Sequence, residues 1–166
     1  MLLMAVFLVA TSTCPAVTAP EVTAALRAIG EDGTWAVEGN VQPYPNTPYY
    51  ECHYRTRTGT LNREVLIQVR PTDASERTSI RHFVDQVSRT ALVAPQAVAG
   101  LGDEAWFYVA NDGIGQLNVR SGQAVVHVAV DLQTKTDGPR KLDAAKAVAA
   151  HALARLKSGE ISVAKK

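Results

Sequence analysis

Three apolar runs in the second half of the chain alternate with short turns and predict the centre of a β-sheet. Residues 104–110 form an aromatic-rich run, Asn111-Asp112-Gly113 supplies a turn, and the runs 114–120 and 123–131 flank a second turn at Ser121-Gly122. Asn, Asp and Gly accept the positive φ of tight hairpin turns. The last run is apolar at nearly every position, which is typical of a central strand buried on both faces.

Alternating segments upstream predict further strands of the same sheet. Residues 49–56 place Cys52 and Tyr54 on one side and His53 on the other, and residues 63–70 show the clearest two-residue period in the chain. A weaker pattern at Trp35 indicates an edge strand. We therefore expect a mostly antiparallel sheet of about five to six strands, because the links are of hairpin length. Residues 92–102, which contain Pro95, are expected to be a connection.

Helical periodicity predicts three amphipathic helices. Thr18-Ala19-Pro20-Glu21 is a capping box that opens the first helix, and Gly30 ends it. A cap at Asp73 or Ser75 opens the second, and Asp137-Gly138-Pro139 opens the third. The helices are expected over about residues 19–30, 73–90 and 137–157. Because the central strand is apolar on both sides, helices should pack on both faces, which gives an α+β fold of the α/β/α sandwich type.

The same periods predict a set of nearly fully buried positions. They come from the strand at residues 63–70, the central strand, and the apolar faces of the second and third helices. The predicted core residues are Val65, Ile67, Val69, Phe83, Val126, Val128, Leu153 and Leu156.

The N-terminus has the pattern of a secretory signal. Residues 1–10 are an unbroken apolar run, and the first charged residue is Glu21. Ten apolar residues are too few to span a bilayer but match the hydrophobic region of a signal peptide, and cleavage after Ser12 would follow small residues. A Lys or Arg before the run is missing, and a buried N-terminal strand is the alternative. We divide the chain into a signal-like segment (1–12), one α+β domain (13–158) and a flexible tail (159–166).

The two cysteines bear on export. In an exported chain an even number of cysteines indicates a disulfide, here between Cys14 and Cys52. The bond would stabilise the fold by about 4 kcal/mol in the chain-entropy model. Lipidation of Cys14 is the alternative, but Thr11 and Thr13 stand where a lipobox needs Leu and a small Gly or Ala. The sequence thus favours a periplasmic, secreted or envelope protein without a lipid anchor.

Charge and motif content exclude several functions. With 17 basic and 16 acidic residues scattered along the chain, there is no basic patch for nucleic acid. The four histidines form no metal-binding pair by spacing, although Glu51 and His53 share a strand face. Gly100-Leu101-Gly102 precedes a strand rather than a helix, so a phosphate loop is not indicated. We predict no cofactor, no metal and no transmembrane span.

Aromatic residues offer the one candidate binding surface. Trp106 and Tyr108 share a strand face and, with His53 and Tyr54, would line a groove for an apolar or sugar-like ligand if helices leave that face uncovered. Core packing is the alternative. We expect an exported, non-catalytic module that binds a small ligand or an envelope protein, as a monomer or weak dimer. The alternative is a small extracytoplasmic hydrolase-like enzyme that uses His53 or His127 in a cleft.

Several of these features together resemble a known group of proteins. They are Cys14 before a short capped helix, Cys52-His53-Tyr54, the turn from Val98 to Ala105 (VAGLGDEA) and an alanine-rich final helix. This pattern is similar to that of small exported bacterial proteins and lipoproteins of uncharacterised domain families, among them the LpqN-type lipoproteins. The resemblance covers about residues 14–157. It implies a PsbP-like sandwich fold and no catalytic residues.

Overall fold

The structure of the chain is a computed structural model that describes residues 13–41, 49–58 and 61–163. The predicted signal-like segment, residues 1–12, lies outside the described residues. Within them the helices are α1 (Ala19–Ala28), α2 (Arg81–Val87) and α3 (Gly138–Ser158). The strands are β1 (Ala36–Val41), β2 (Tyr50–Thr58), β3 (Leu61–Pro71), β4 (Val93–Ala97), β5 (Glu104–Val109), β6 (Gly115–Ser121) and β7 (Ala124–Asp131).

The strands form one antiparallel sheet in the order β1-β2-β3-β7-β6-β5-β4. This confirms the α+β class and the antiparallel arrangement. The apolar run predicted to be central is β7, the fourth of the seven strands. It pairs with β3 on one side and β6 on the other, which joins the two halves of the sheet.

The sheet has more strands than the predicted five to six, because the expected connection at residues 92–102 contains β4. This strand pairs with β5 at the edge of the sheet, and the backbone N–H of Leu92 donates to the carbonyl of Val109 at 2.8 Å. Pro95 argued against a strand because it has no N–H to donate. A proline is tolerated on an edge strand, whose outer side has no neighbour, and the pairing here shifts register between Val93 and Gln96.

One face of the sheet packs against α1 and α3 and forms the core. Five predicted core residues, Val65, Ile67, Val69, Val126 and Val128, are fully buried on this face. The prediction is wrong for Leu153 and Leu156, which are only partly buried. The side chains of α3 that are buried here are mostly small (Ala144, Ala145, Val148, Ala149 and Ala152), and small side chains let the helix approach the sheet closely.

The segment assigned to a flexible tail begins with packed residues. Ile161 and Val163 are buried, at 4% and 8% exposure, and belong to the core cluster. The hydroxyl of Tyr50 donates to the carbonyl of Ser162 at 3.3 Å, so the chain after α3 contacts the start of β2. Residues 164–166 lie outside the described part of the chain.

The second helix is much shorter than predicted and begins later. The predicted cap Asp73 instead closes a turn, in which its Oδ1 accepts the backbone N–H groups of Ser75 and Glu76 at 2.8 and 2.9 Å. The buried carboxylate of Glu76 forms a bidentate ion pair with Arg70, with N–O distances of 2.6 and 2.5 Å. This pair holds residues 73–78 against the end of β3, and the helix starts only at Arg81.

The helix α2 contacts the face of the sheet opposite to α1 and α3, at one end only. The carboxylate of Glu104 accepts the backbone N–H of Ile80, and the guanidinium of Arg81 lies 4.2 Å from the centre of the Trp106 ring. Arg70 lies 5.5 Å from the ring centre of Phe83. Phe83 is therefore partly exposed rather than buried as predicted.

The predicted disulfide between Cys14 and Cys52 is present, with Cα atoms 5.9 Å apart. It fastens the segment before α1 to β2. The Tyr54 hydroxyl donates to the carbonyl of Val17 at 2.5 Å, and the guanidinium of Arg155 bonds the carbonyl of Ala16 and the carboxylate of Glu21. The N-terminal helix is thus held to the core by a covalent bond and by buried polar contacts.

We expect reduction of this disulfide to loosen residues 14–30 before the rest of the domain. The bond joins residues 38 positions apart, and its loss should lower the free energy of unfolding by about 4 kcal/mol. Hydrogen exchange of the oxidised and reduced protein measures both effects. The Cys14→Ala/Cys52→Ala variant is the matched control for incomplete reduction. Equal exchange in α1 and β7 after reduction would contradict the prediction.

Candidate functional site

The face of the sheet opposite the core carries polar side chains across its central strands. Strand register places one residue of each strand from β2 to β5 in a row on this face. The row consists of Glu51, Gln68, His127, Asn118 and Trp106. The helix α2 covers the Trp106 end, and the middle of the face stays partly exposed.

A cleft of about 230 Å³ lies between α2 and this face. Phe83 and Val87 of α2 line one side. The sheet contributes the other lining residues, which are Gln68, Arg70, Tyr108, Gln116, Asn118 and His127. A neighbouring cavity of about 220 Å³ over Leu66 and Ala129 shares Gln116 and His127 as walls. The two cavities therefore meet at the histidine of the central strand.

A chain of side-chain hydrogen bonds crosses the face and reaches the cleft. The carboxylate of Glu51 accepts from the Tyr49 hydroxyl at 2.6 Å and from Nε2 of Gln68 at 2.7 Å. The amide oxygen of Gln68 faces Nδ1 of His127 at 3.2 Å, and Oε1 of Gln116 lies 2.5 Å from Nε2 of the same ring. Four strands are thus connected through side chains as well as through backbone pairing.

The other histidine on this face, His53, lies between two carboxylates. Its Nε2 is 3.0 Å from Glu51 and its Nδ1 is 2.8 Å from Glu64, whose other oxygen accepts from Arg55. Burial alone would lower the pKa of His53, but the two hydrogen bonds and the two negative charges outweigh it and raise the pKa. Hydrogen bonds lower the pKa of both carboxyl groups despite their partial burial, first from Tyr49 and then His53 for Glu51, and first from His53 and then Arg55 for Glu64. The charged groups of this cluster are therefore paired with one another.

His127 has the opposite electrostatic environment. Burial and the nearby positive charge of Arg70 lower its pKa to about 4, so the ring is neutral at pH 7. A neutral ring has one N–H, and Gln68 accepts it because its own amide nitrogen is engaged by Glu51. The remaining ring nitrogen then accepts, which requires the amide of Gln116 to rotate by half a turn. His127 is therefore contacted on both ring nitrogens by neutral amides.

Asn118 has an unsatisfied polar group beside the cleft. Its side chain is 2% exposed, and its Nδ2 has no hydrogen-bond partner among the described residues. Leaving a buried amide donor unpaired costs about 1–3 kcal/mol. Because Asn118 also lines the cleft, an oxygen of a bound molecule would satisfy this donor.

The residues predicted to line a groove are placed in different surroundings. Tyr108 lines the cleft, whereas the ring of Trp106 lies under Arg81 with its Nε1 bonded to Glu104. His53 is on the same face as Tyr108 but four strands away, about 19 Å at the usual strand spacing. Tyr54 is fully buried on the opposite face and cannot line a cleft here. A ligand role for Trp106, Tyr108 and His53 stays a prediction.

Sequence reasoning missed the amide side chains of the cleft. Gln116 and Asn118 alternate with the buried Leu117 and Val119, and His127 interrupts the apolar run of β7. Polar residues at alternate positions in a strand normally indicate a solvent-exposed face. These residues indicate a site only once β6 is known to lie next to the central strand, and the local sequence does not reveal that position.

Three further features concern the described residues. No group of three His, Cys, Asp or Glu side chains is arranged to hold a metal ion. None of the helices in this part of the chain is long and apolar enough to cross a membrane. His82 bonds Gln86 and His151 lies 3.3 Å from Glu21, and neither side chain lines the cleft.

Comparison of the chain with protein-family models, with curated proteins and with solved structures finds no match. The fold and the site define the class, an α+β domain with one antiparallel sheet and a cleft lined by neutral amides. The resemblance to LpqN-type lipoproteins remains a prediction.

The pKa values of the two histidines on the polar face should be shifted in opposite directions from the ordinary histidine value of 6.5. Between pH 6.5 and about 4 the folded protein holds fewer protons on His127 than the unfolded chain does. Stability is therefore fully present above pH 6.5 and falls through this window, by at most about 3 kcal/mol because the ring is partly exposed. His53 contributes in the reverse sense, since its stabilisation is present below pH 6.5 and lost as the pH rises through its raised pKa.

An NMR titration of the ring protons measures both pKa values, and urea unfolding from pH 4 to 8 measures the stability. The His127→Gln variant, which has no charge to acquire, should lose less stability as the pH falls. Titration of His127 near or above 6.5 would contradict the arrangement described here.

Proposed function

We propose that the protein is an exported, non-catalytic domain of the bacterial cell envelope that binds a small ligand in the cleft under α2. The observation that carries this proposal is the unpaired, buried amide of Asn118 beside a cleft of about 230 Å³. Binding sites are typically concave, with a few polar groups that fix the orientation of the ligand. Phe83 and Val87 supply the apolar side of such a site.

The surroundings of the cleft favour binding over catalysis. Among the residues that the structure describes, its lining contains no Ser, Cys, Thr or Lys side chain that could act as a nucleophile. His127 contacts amides on both ring nitrogens, and no carboxylate orients it as a catalytic base. The alternative hydrolase-like enzyme would need a water or substrate group to displace Gln116 from this ring.

The disulfide supports the exported location, since such bonds persist in oxidising compartments. The contacts of α2 with the second face are compatible with a PsbP-like sandwich, and we extend the proposal to that architecture. An envelope protein is the alternative partner. Val87, Leu92 and Val93 are 46%, 53% and 42% exposed, which is the kind of apolar surface that a protein partner would cover.

We expect a screen of small metabolites by thermal unfolding to find compounds that raise the melting temperature. The Phe83→Ala variant should reduce that rise by removing one wall of the cleft. Since Phe83 is partly exposed, its truncation should cost less than the 3–5 kcal/mol typical of a fully buried Phe. The Leu92→Ala variant removes an exposed apolar side chain that does not line the cleft and serves as the control.

The outcomes separate the candidate functions. Stabilisation lost in Phe83→Ala and kept in Leu92→Ala supports the proposal. Conversion of a stabilising compound, abolished by His127→Gln, would replace it with the enzyme. The proposal would be replaced by a protein-binding role if no compound stabilises the protein and if an envelope protein is captured whose binding Leu92→Ala weakens.

A further inference from the structure

The charged groups around the cleft are neutralised within the protein. Both terminal nitrogens of Arg70 bond the carboxylate of Glu76 at 2.6 and 2.5 Å. The imidazole of His127 is uncharged at pH 7 and is held by Gln68 and Gln116. A carboxylate, phosphate or ammonium group placed here would be removed from water without an unpaired opposite charge to receive it, which is costly.

The uncharged polar groups of the lining both donate and accept hydrogen bonds, and Gln68 and Gln116 use part of this capacity on Glu51 and His127. Gln68, Gln116 and Asn118 each carry an amide oxygen and an NH₂ group, and Tyr108 carries a hydroxyl. Hydroxyl groups have the same dual character. A ligand with several hydroxyls can therefore match this lining at many positions, whereas a ligand with acceptors alone would leave the amide oxygens of the lining unused.

The size and the apolar wall of the cleft set further limits. A volume of about 230 Å³ lies below the roughly 300–1,000 Å³ usual for drug-sized ligands, so the cleft limits the ligand to roughly a dozen non-hydrogen atoms, the size of one six-membered sugar ring. The ring of Phe83 and the side chain of Val87 offer an apolar surface for the C–H face of such a ring. The opposite wall offers the amides.

We propose that the ligand of the cleft is an uncharged sugar unit whose hydroxyl groups bond the side-chain amide of Asn118 and those of its glutamine neighbours. This inference rests on the proposed function. Nδ2 of Asn118 is covered by surrounding atoms. Entry of the sugar therefore requires a small movement of the side chains over the cleft, after which a sugar oxygen accepts from this nitrogen.

The test uses the domain labelled with ¹⁵N and a panel of free sugars. Neutral glucose, galactose, mannose and N-acetylglucosamine are compared with glucuronate and glucosamine, which carry opposite charges. Titrations followed by NMR give the dissociation constants, and the side-chain NH₂ signals of Asn118 report contact directly. The Asn118→Ala variant should weaken binding of a neutral sugar about tenfold, the equivalent of one lost hydrogen bond.

The Asn111→Ala variant is the matched control, because Asn111 is exposed in the β5–β6 turn and does not line the cleft. It should leave the dissociation constants unchanged. Thermal unfolding of both variants shows whether each remains folded. If Asn118→Ala does not fold, the test is whether a neutral sugar shifts the Asn118 NH₂ signals of the unsubstituted protein.

The sugar assignment and the cleft assignment fail in different ways. Binding of charged sugars at least as tight as that of neutral ones, or binding that leaves the Asn118 signals unmoved, overturns the sugar assignment. If no sugar binds while other compounds still stabilise the protein in a manner lost in Phe83→Ala, the cleft stands and the sugar assignment falls. If neither sugars nor other compounds act through Phe83, both fall.

Discussion

The structure depends on the central strand β7, which lies in the core on one face and is covered in part on the other. Val126, Val128 and Val130 point to the face covered by α1 and α3, where the alanines of α3 allow close packing. The alternate residues point to the other face, where, among the described residues, the seven-residue α2 is the helix that contacts the sheet. That helix covers part of the width of the sheet. The uncovered part must therefore be compatible with water, and this explains why a histidine lies within the apolar run of β7 and why amides occupy the same face of its neighbours β3 and β6.

Basic side chains of α3 hold the covered face together. Arg140, Lys141 and Arg155 donate to backbone carbonyls just after α1, at the β5–β6 turn and just before α1. These carbonyls have no helix or ladder partner, so long cationic side chains satisfy them while their stems pack in the core. Lys141 is fully buried, and this burial lowers the pKa of its ammonium group. The disulfide adds a covalent link at β2, beside the contacts of Arg155.

The spacing of apolar residues predicted those strands and helices that depend mainly on the local sequence. The runs that became β2, β3, β5, β6 and β7 alternate or are apolar throughout, and the capping box correctly marked the start of α1. Two errors came from long-range effects. Pro95 argued against β4, but edge position removes the need for its N–H. Asp73 has the pattern of a helix cap, but the ion pair between Arg70 and Glu76 makes the segment a turn.

The candidate site was less predictable than the fold because its meaning depends on strand order. Gln116 and Asn118 look like ordinary solvent-facing residues until β6 is placed between β5 and β7, under the edge of α2. There, a neutral amide can be buried without a charged partner and can still bind a ligand. Charged groups such as those of the His53 cluster must be paired to be buried, and pairing leaves nothing to offer a ligand. An unpaired amide costs only about 1–3 kcal/mol, which the domain can bear and a ligand can return on binding.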